Sequence, residues 1–510
     1  MAENVLYYGD NLNILRQHIK DETIDLIYLD PPFKSDQDYN VLFEEQNGSR
    51  SAAQIKAFED TWEWDMTAAK AYQNIIENGG KVAEAMLAFR TYLSENNMMA
   101  YLSMMAPRLM ELKRVLKDTG SIYLHCDPTA SHYLKILMDA VFGPTNFTNE
   151  IVWHYRKWPT GKYTFQRNHD IILFYSKSGR QTRTFNQLYM GRTPSTLKRF
   201  GTAKIVSGYD EEGRRLPSKT ESRPSAGVRQ DDVWEIGRVP PIKQLFPTEK
   251  PEPLLERIVR ASSNEGDMVL DPFCGCGTTI VVSEYLKRSW IGIDITHLAI
   301  TLIKHRLADA WAHFRDSRAK PQYKVIGEPK DISGARMLAK EDPYQFQWWA
   351  LGLVDARPVE QKKGADKGID GKLYFHDESD NKKTRTKQIV LSVKSGSVGV
   401  KDMRDLRGVL DREGAQIGVL ICMEKPTKAM RTEAASAGFY KSPWASKHPV
   451  LQILTIEELF GGKRIDYPYS EGVNVTFKKA PKAKNTETIS QMHLSDEEKR
   501  KRNSNSSEKK

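Results

Sequence analysis

Read by the spacing of its apolar positions, the chain alternates short apolar runs with amphipathic stretches through its first 310 residues. Residues 5–8 form a β-like run, 11–19 have helical spacing, and 25–29 (DLIYL) read as a mostly apolar strand. That strand stops at Asp30-Pro31-Pro32-Phe33, where two prolines forbid continuation of strand or helix. The tetrapeptide must therefore sit in a loop at the strand's carboxyl end. Residues 67–117 are predicted to be mostly helical, with Leu102, Met105, Leu109, Leu112 and Leu116 at helical intervals, and Gly120 is read as a break before a strand over 121–125. Farther on, 251–262 reads as an amphipathic helix, 267–270 as a strand, 280–286 as a helix, and 290–293 as a strand ending at Asp294. Strand, glycine loop, helix and strand with a terminal acid is the βαβ unit of a nucleotide-binding sheet.

Beyond this the pattern changes. A charged stretch punctuated by Pro and Gly over 321–342 is predicted to be a linker, and a second unit follows over 343–465. It reads as helix 344–354, strands 373–375 and 389–393, helix 401–412, strand 417–423 and a further helix. From 480 to 510 the composition turns to Lys, Glu, Ser and Asn, and a disordered tail is expected. The expected fold class is α/β: a doubly wound, mainly parallel sheet in a domain over 1–320, with a second, smaller α/β domain.

Composition narrows the class. With 510 residues, 39% hydrophobic positions and ten Trp, the chain can build two cores. Four cysteines, Cys126, Cys274, Cys276 and Cys422, are too few and too scattered for a disulfide framework or a closed zinc site. No apolar run approaches the ~18 residues of a membrane span, and MAENVLYYGD lacks the layout of a signal peptide. A cytoplasmic protein with no membrane partner is expected. The net charge of +10 is modest, but residues 151–240 hold 17 Lys/Arg against 8 Asp/Glu. Trp153, Tyr155, Trp158, Tyr163, Phe165 and Tyr175 are interleaved with them. Such a segment suits a polyanion with stackable bases, and it equally fits a solvated surface over some core rings.

Chemistry concentrates at two loops. In Asp271-Pro272-Phe273-Cys274-Gly275-Cys276-Gly277-Thr278-Thr279, Gly275 and Gly277 permit a tight turn and close approach of a ligand to the following helix's N-terminus. Asp294, some twenty residues on, is placed to accept hydrogen bonds from ribose hydroxyls.

Asp30 to Phe33 resembles the catalytic motif of the DNA amino-methyltransferases, and Asp271 to Thr279 resembles their S-adenosylmethionine loop. The order of catalytic motif, basic segment and cofactor loop resembles the permuted β class of that family. Gly9-Asp10, Asn168-His169-Asp170 followed by IILFYSK, and Pro247-Thr248-Glu249-Lys250-Pro251 extend the likeness over residues 5–310. The resemblance implies methyl transfer to the exocyclic amine of a base flipped from double-stranded DNA. Asp30, Pro31, Pro32 and Phe33 would form the catalytic pocket. Asp10, Lys250, Asp271, Phe273, Gly275, Gly277, Thr278 and Asp294 would hold the cofactor, with Asp10 toward the adenine ring and Lys250 toward the methionine end.

The residue types suit that reaction. An exocyclic amine is a poor nucleophile because its lone pair is delocalised into the ring. Acceptors at Asp30 and the Pro31 carbonyl would hold both amine protons and aim the lone pair at the methyl group. Phe33 offers a face for the extruded base. No cysteine follows a proline, which sets the chain apart from carbon-5 cytosine methyltransferases. Asp at the first motif position favours adenine over cytosine within the family. The 151–240 segment occupies the family's target-recognition region, and a homodimer is one of the oligomeric states left open.

The second unit carries Gly364-Ala365-Asp366-Lys367-Gly368-Ile369-Asp370-Gly371 and Ser392-Val393-Lys394, a pattern that resembles restriction-endonuclease-like domains of the Mrr type. The resemblance implies Asp370 as a Mg2+ ligand and Lys394 as its catalytic partner. Ser392 stands where a second acid is usual, and Gln347 where Glu is common. An active nuclease, a degenerate DNA-binding module and an unrelated α/β domain are the readings this leaves. The alternative function for the whole chain is a Mg-dependent restriction nuclease with a methyltransferase-like targeting half.

Overall fold

The computed structural model describes residues 3–32, 64–157, 163–179, 181–225, 227–240, 244, 249–312, 320–359, 368–376, 386–443, 446–468 and 476. Phe33, Trp158 and the 480–510 tail lie outside them. The first domain is built on β1 (Asn4–Tyr8), β2 (Ile24–Leu29), β3 (Leu116–Cys126), β4 (Phe147–His154), β5 (His169–Ser176), β6 (Val233–Glu235), β7 (Met268–Asp271), β8 (Ser289–Asp294) and β9 (Tyr323–Ile326). They form one sheet in the order β6-β4-β5-β3-β2-β7-β8-β1-β9. Only β5 runs against its neighbours, pairing antiparallel with both β3 and β4.

Buried strands alternate their apolar side chains between two faces, and each face has its own helical layer. Ile27, Leu29 and Leu270 point to α1 (Asn11–His18), α2 (Met66–Asn78), α3 (Gly80–Leu93), α4 (Asn97–Val115) and α5 (Ser131–Phe142). Leu26, Tyr28 and Val269 point to α6 (Glu252–Ser262), α7 (Thr278–Tyr285) and α8 (His297–Trp311). This is the expected doubly wound, mainly parallel α/β sheet.

Three sequence expectations need revision. The helical stretch 67–117 is three helices, because Gly79 (φ +67°) ends α2 and Ser94 ends α3. Gly120 does not precede β3 but lies inside it, where a Cβ would come within 2.6 Å of Leu116 Cδ1. The supposed linker over 321–342 holds β9, paired parallel with β1, and α9 (Ile332–Glu341). Both elements bury few side chains, so their charged exposed positions imitate a loop.

The second unit begins with α10 (Pro343–Gly352), continues through β10 (Arg357–Pro358), β11 (Gly371–His376), β12 (Thr386–Lys394), α11 (Val400–Glu413) and β13 (Ile417–Cys422), and closes with β14 (Leu451–Thr455). Its five strands run in chain order across the sheet, antiparallel up to β12 and parallel after it. Separate apolar clusters fill its two faces, one around Phe346, Trp349 and Leu391, the other around Met403, Leu406 and Leu420. No helix among the described residues is long and apolar enough to cross a membrane.

Candidate active site

The two loops singled out in the sequence emerge side by side. β2 and β7 are adjacent and parallel, with Leu26 opposite Val269 and Ile27 opposite Leu270. Asp30-Pro31-Pro32 therefore leaves the sheet beside Asp271-Pro272, at the carboxyl edge where ligands of open α/β sheets bind.

The glycine loop is shaped by its own backbone. Gly275 (φ +49°) and Gly277 (φ +76°) adopt left-handed conformations that cost other residues energy. No atom lies within 4 Å of the Cβ position at Gly275, so the loop faces open space there. Asp294 closes the far side: its Oδ2 accepts from Gly275 N at 3.0 Å, and its Oδ1 accepts from both the backbone N and the hydroxyl of Thr296 at 2.9 Å. Beside it Ile295 is 58% exposed, an apolar side chain at the rim that sequence reasoning did not single out.

Other candidates have a supporting place. Asp271 is buried and accepts from Phe273 N at 3.1 Å, which fixes the turn. Phe273 packs against the core, and Thr278 is buried behind the loop. Asp10 caps α1 through Asn13 N and pairs with Arg108 at 2.5 Å. The same Arg108 donates to Asn11 Oδ1, and Asn11 Nδ2 donates to Pro272 O at 2.8 Å. The Gly9-Asp10-Asn11 turn is thereby tied to the glycine loop.

Lys250 stands beside the catalytic loop. Its ammonium pairs with the carboxylate of Asp30. The neighbouring Glu249 pairs with Arg306 Nη1 at 3.0 Å. Arg306, with 2% of its side chain exposed, also reaches Glu252 at 3.2 Å and donates to Thr278 Oγ1 at 3.1 Å. One buried guanidinium thus joins the segment that carries Lys250 to the loop that carries the glycines. Nothing in local sequence distinguishes Arg306, because its partners are distant along the chain.

A second buried chain of polar groups lies at the ends of β2, β3 and β5. Tyr28 OH meets His125 Nδ1 at 3.0 Å, His125 Nε2 meets Asp170 Oδ2 at 3.2 Å, and Tyr155 OH donates to Asp170 Oδ1 at 2.9 Å. Burial alone would raise the Asp170 carboxyl, but His125, Lys250 and Tyr155 outweigh it and hold it down at about 2. The Asn168-His169-Asp170 motif signalled this position without revealing its partners. Of the aromatics in the basic stretch, Trp153, Tyr155 and Tyr175 are core residues, whereas Tyr163 and Phe165 are 96% and 100% exposed. Two of the five described rings thus project between β4 and β5.

In the C-terminal unit, Asp370 immediately precedes β11 and Lys394 ends its antiparallel partner β12. Asp370 is buried, and its Oδ2 accepts from Val393 N at 2.6 Å and from Ser392 Oγ at 3.1 Å. Among the described residues, no group of three or more His, Cys, Asp or Glu side chains could hold a metal ion. One carboxylate with a hydroxyl beside it is a poor fit to a hard divalent cation, which takes six or more oxygens.

Residues 24–305, more than half of the chain, match the family model described as a DNA methylase of the N6/N4 methyltransferases. The chain belongs to that family. S-adenosylmethionine is its cofactor. The Type II methyltransferase M.HpaI of Haemophilus parainfluenzae is 34% identical over 238 residues, covering 46% of this chain and 68% of that protein. M.BamHI of Bacillus amyloliquefaciens is 29% identical over 310 residues, covering 59% of this chain and 56% of that one. The DNA adenine methyltransferase YhdJ of Escherichia coli (strain K12) is 26% identical over 345 residues, covering 66% and 93%. The chain thus spans from little more than half to nearly all of these relatives. Residues 345–460 match a second model, described as NACHT-associated inactive Restriction Endonuclease 1.

The site fits the cofactor: an open surface over Gly275, a carboxylate at Asp294 for hydroxyls, and an apolar rim at Ile295 for a flat ring. Burial pushes the Asp294 carboxyl up to about 6, against the hydrogen bonds from Thr296 and Gly275 that favour its charge. A carboxylate must be ionised to accept from two ribose hydroxyls. Affinity for S-adenosylmethionine is therefore expected to weaken as the pH falls through 6, by up to about tenfold per unit. Calorimetric titration across this range checks it, and Asp294→Asn should bind weakly without the pH dependence.

Proposed function

We propose that this DNA methyltransferase acts on the N6 amine of adenine in double-stranded DNA. The observation that carries the reading is the emergence of Asp30-Pro31-Pro32 and the Asp271–Gly277 loop from adjacent parallel strands. S-adenosylmethionine supplies an electrophilic methyl group on a sulfonium. Asp30 accepts one amine hydrogen and the Pro31 carbonyl the other, so the amine lone pair is aimed rather than shared with the ring. Lys250 has to release Asp30 before the base amine can reach it. Asp30 would then take the proton that the base amine gives up on accepting the methyl group. Gly275 and Asp294 would hold the nucleoside part of the cofactor, and Ile295 would offer its ring an apolar face. Phe33 is the stacking face for the base.

DNA as the substrate is supported by the exposed rings of Tyr163 and Phe165, which lie between basic residues Arg156, Lys157 and Arg167. Adenine is favoured by Asp at the first motif position and by the adenine specificity in the name of YhdJ. The C-terminal unit, in this reading, does not cut DNA. Ser392 bonds Asp370 where a nuclease needs a second carboxylate, and the matching family model is described as inactive. The nuclease alternative would need ligands for Mg2+ that Ser392 cannot supply.

Incubation of the protein with S-adenosylmethionine and unmethylated genomic DNA, followed by digestion to nucleosides and mass spectrometry, tests the reading. N6-methyladenine is the expected product. N4-methylcytosine would replace the base assignment. No methylated base on diverse DNA, with cofactor binding measured, would overturn the proposal.

A further inference from the structure

Helix α8 is held from two sides. Toward the cofactor loop, Ile303 lies against Gly277, where a Cβ would come within 2.8 Å of its Cγ1, and Arg306 donates to Thr278. The N-cap of α8, Thr296, is bonded to Asp294 through both its backbone N and its hydroxyl. From the other side the C-terminal unit docks. His297 N donates to Gln345 Oε1 at 3.0 Å, and His305 Nε2 lies 3.3 Å from Asp355 Oδ1. Gly352 approaches so closely that a Cβ there would fall 2.6 Å from Thr301 Oγ1.

These contacts continue into the site. The first N–H groups of a helix have no intrahelical acceptor, so Gln345 supplies from another domain what α8 cannot supply itself. His297 is completely buried, and its ring stacks on Tyr8 with centroids 3.6 Å apart. Tyr8 leads directly into Gly9, whose N donates to Asp294 O at 2.9 Å. The residues bracing α8 and those shaping the Asp294 turn are therefore one contiguous hydrogen-bonded and stacked assembly.

We propose that the C-terminal unit serves the methyltransferase as a positioning module, with Gln345 and Gly352 bracing α8 and thereby setting the Asp294–Gly275 side of the cofactor site. The proposal rests on the cofactor reading above. Gln345 acts through α8 as a positioning residue. The unit acquires by this a function that requires neither metal nor strand cleavage.

The test uses the full-length protein and four variants. Gln345→Leu removes the acceptor at similar size, and Gln345→Glu keeps one. Gly352→Ala inserts the clashing methyl, and the double variant Gly352→Ala with Thr301→Ala relieves it, because the nearest remaining side-chain atom of residue 301 would be 3.6 Å away. Gln345→Leu and Gly352→Ala are expected to weaken S-adenosylmethionine binding about five- to tenfold, since a buried donor left unpaired costs on the order of 1 kcal/mol or more. Gln345→Glu and the double variant are expected to recover most of the affinity. Amide exchange over 275–279, measured without cofactor, should rise and recover in the same pattern. Unchanged affinity and exchange in Gln345→Leu and Gly352→Ala would overturn the proposal. So would rescue of folding without rescue of affinity, where either variant is unstable. Failure of the unaltered protein to bind S-adenosylmethionine would instead overturn the cofactor reading, and the exchange pattern would still decide the bracing.

Discussion

Asp30→Ala is expected to lower the rate of methyl transfer by about 10²- to 10³-fold, the usual loss when one pre-organised group facing developing charge is removed. In the proposed mechanism the alanine would leave the base amine with a single acceptor at Pro31, and its lone pair conjugated with the ring. Cofactor affinity should not fall, because Asp30 lies on the catalytic loop and its removal frees the Lys250 ammonium. Asp30→Asn keeps an acceptor oxygen and should lose less. Single-turnover transfer of labelled methyl, with cofactor affinity measured in parallel, separates these effects. A rate within a few-fold of the unaltered protein would remove Asp30 from the mechanism.

Arg306→Met is expected to destabilise the first domain by about 3–5 kcal/mol, the range for breaking a buried ion pair by deleting one partner. The substitution keeps most of the volume but withdraws the cation set against Glu249 and Glu252, and the donor to Thr278 and Cys276 O. Urea unfolding followed by tryptophan fluorescence checks the magnitude. Adding Glu249→Gln should recover part of the loss, because the remaining carboxylate then faces less unbalanced charge. A destabilisation below about 1 kcal/mol, as for an exposed pair, would show that the guanidinium is not needed where it lies.

Both loops of the site were legible because each is written in consecutive residues. Proline and glycine impose backbone conformations locally, so Asp30-Pro31-Pro32 and Gly275-Cys276-Gly277 mark the ends of their strands wherever the rest of the chain goes. The same holds for Asp294, which closes a βαβ unit of fixed spacing. Where the reading failed, the cause was also physical. The rings of the basic stretch are alike in sequence because charge surrounds them all, and only their place in strands β4 and β5 sets Trp153 and Tyr175 in the core. β9 and α9 were mistaken for a linker because elements at an edge bury few residues and carry charge on the rest.

The sequence by itself determined the class of sheet and the two loops at its carboxyl edge, because local conformational restriction and residue type suffice for each. Only the tertiary structure decided that Lys250 rests on Asp30, that Arg306 ties the glycine loop to Glu249, and that Gln345 reaches across to α8. Each of these pairs residues remote along the chain. Burial, which gives such pairs their strength, is a property of the packed molecule and of no segment alone.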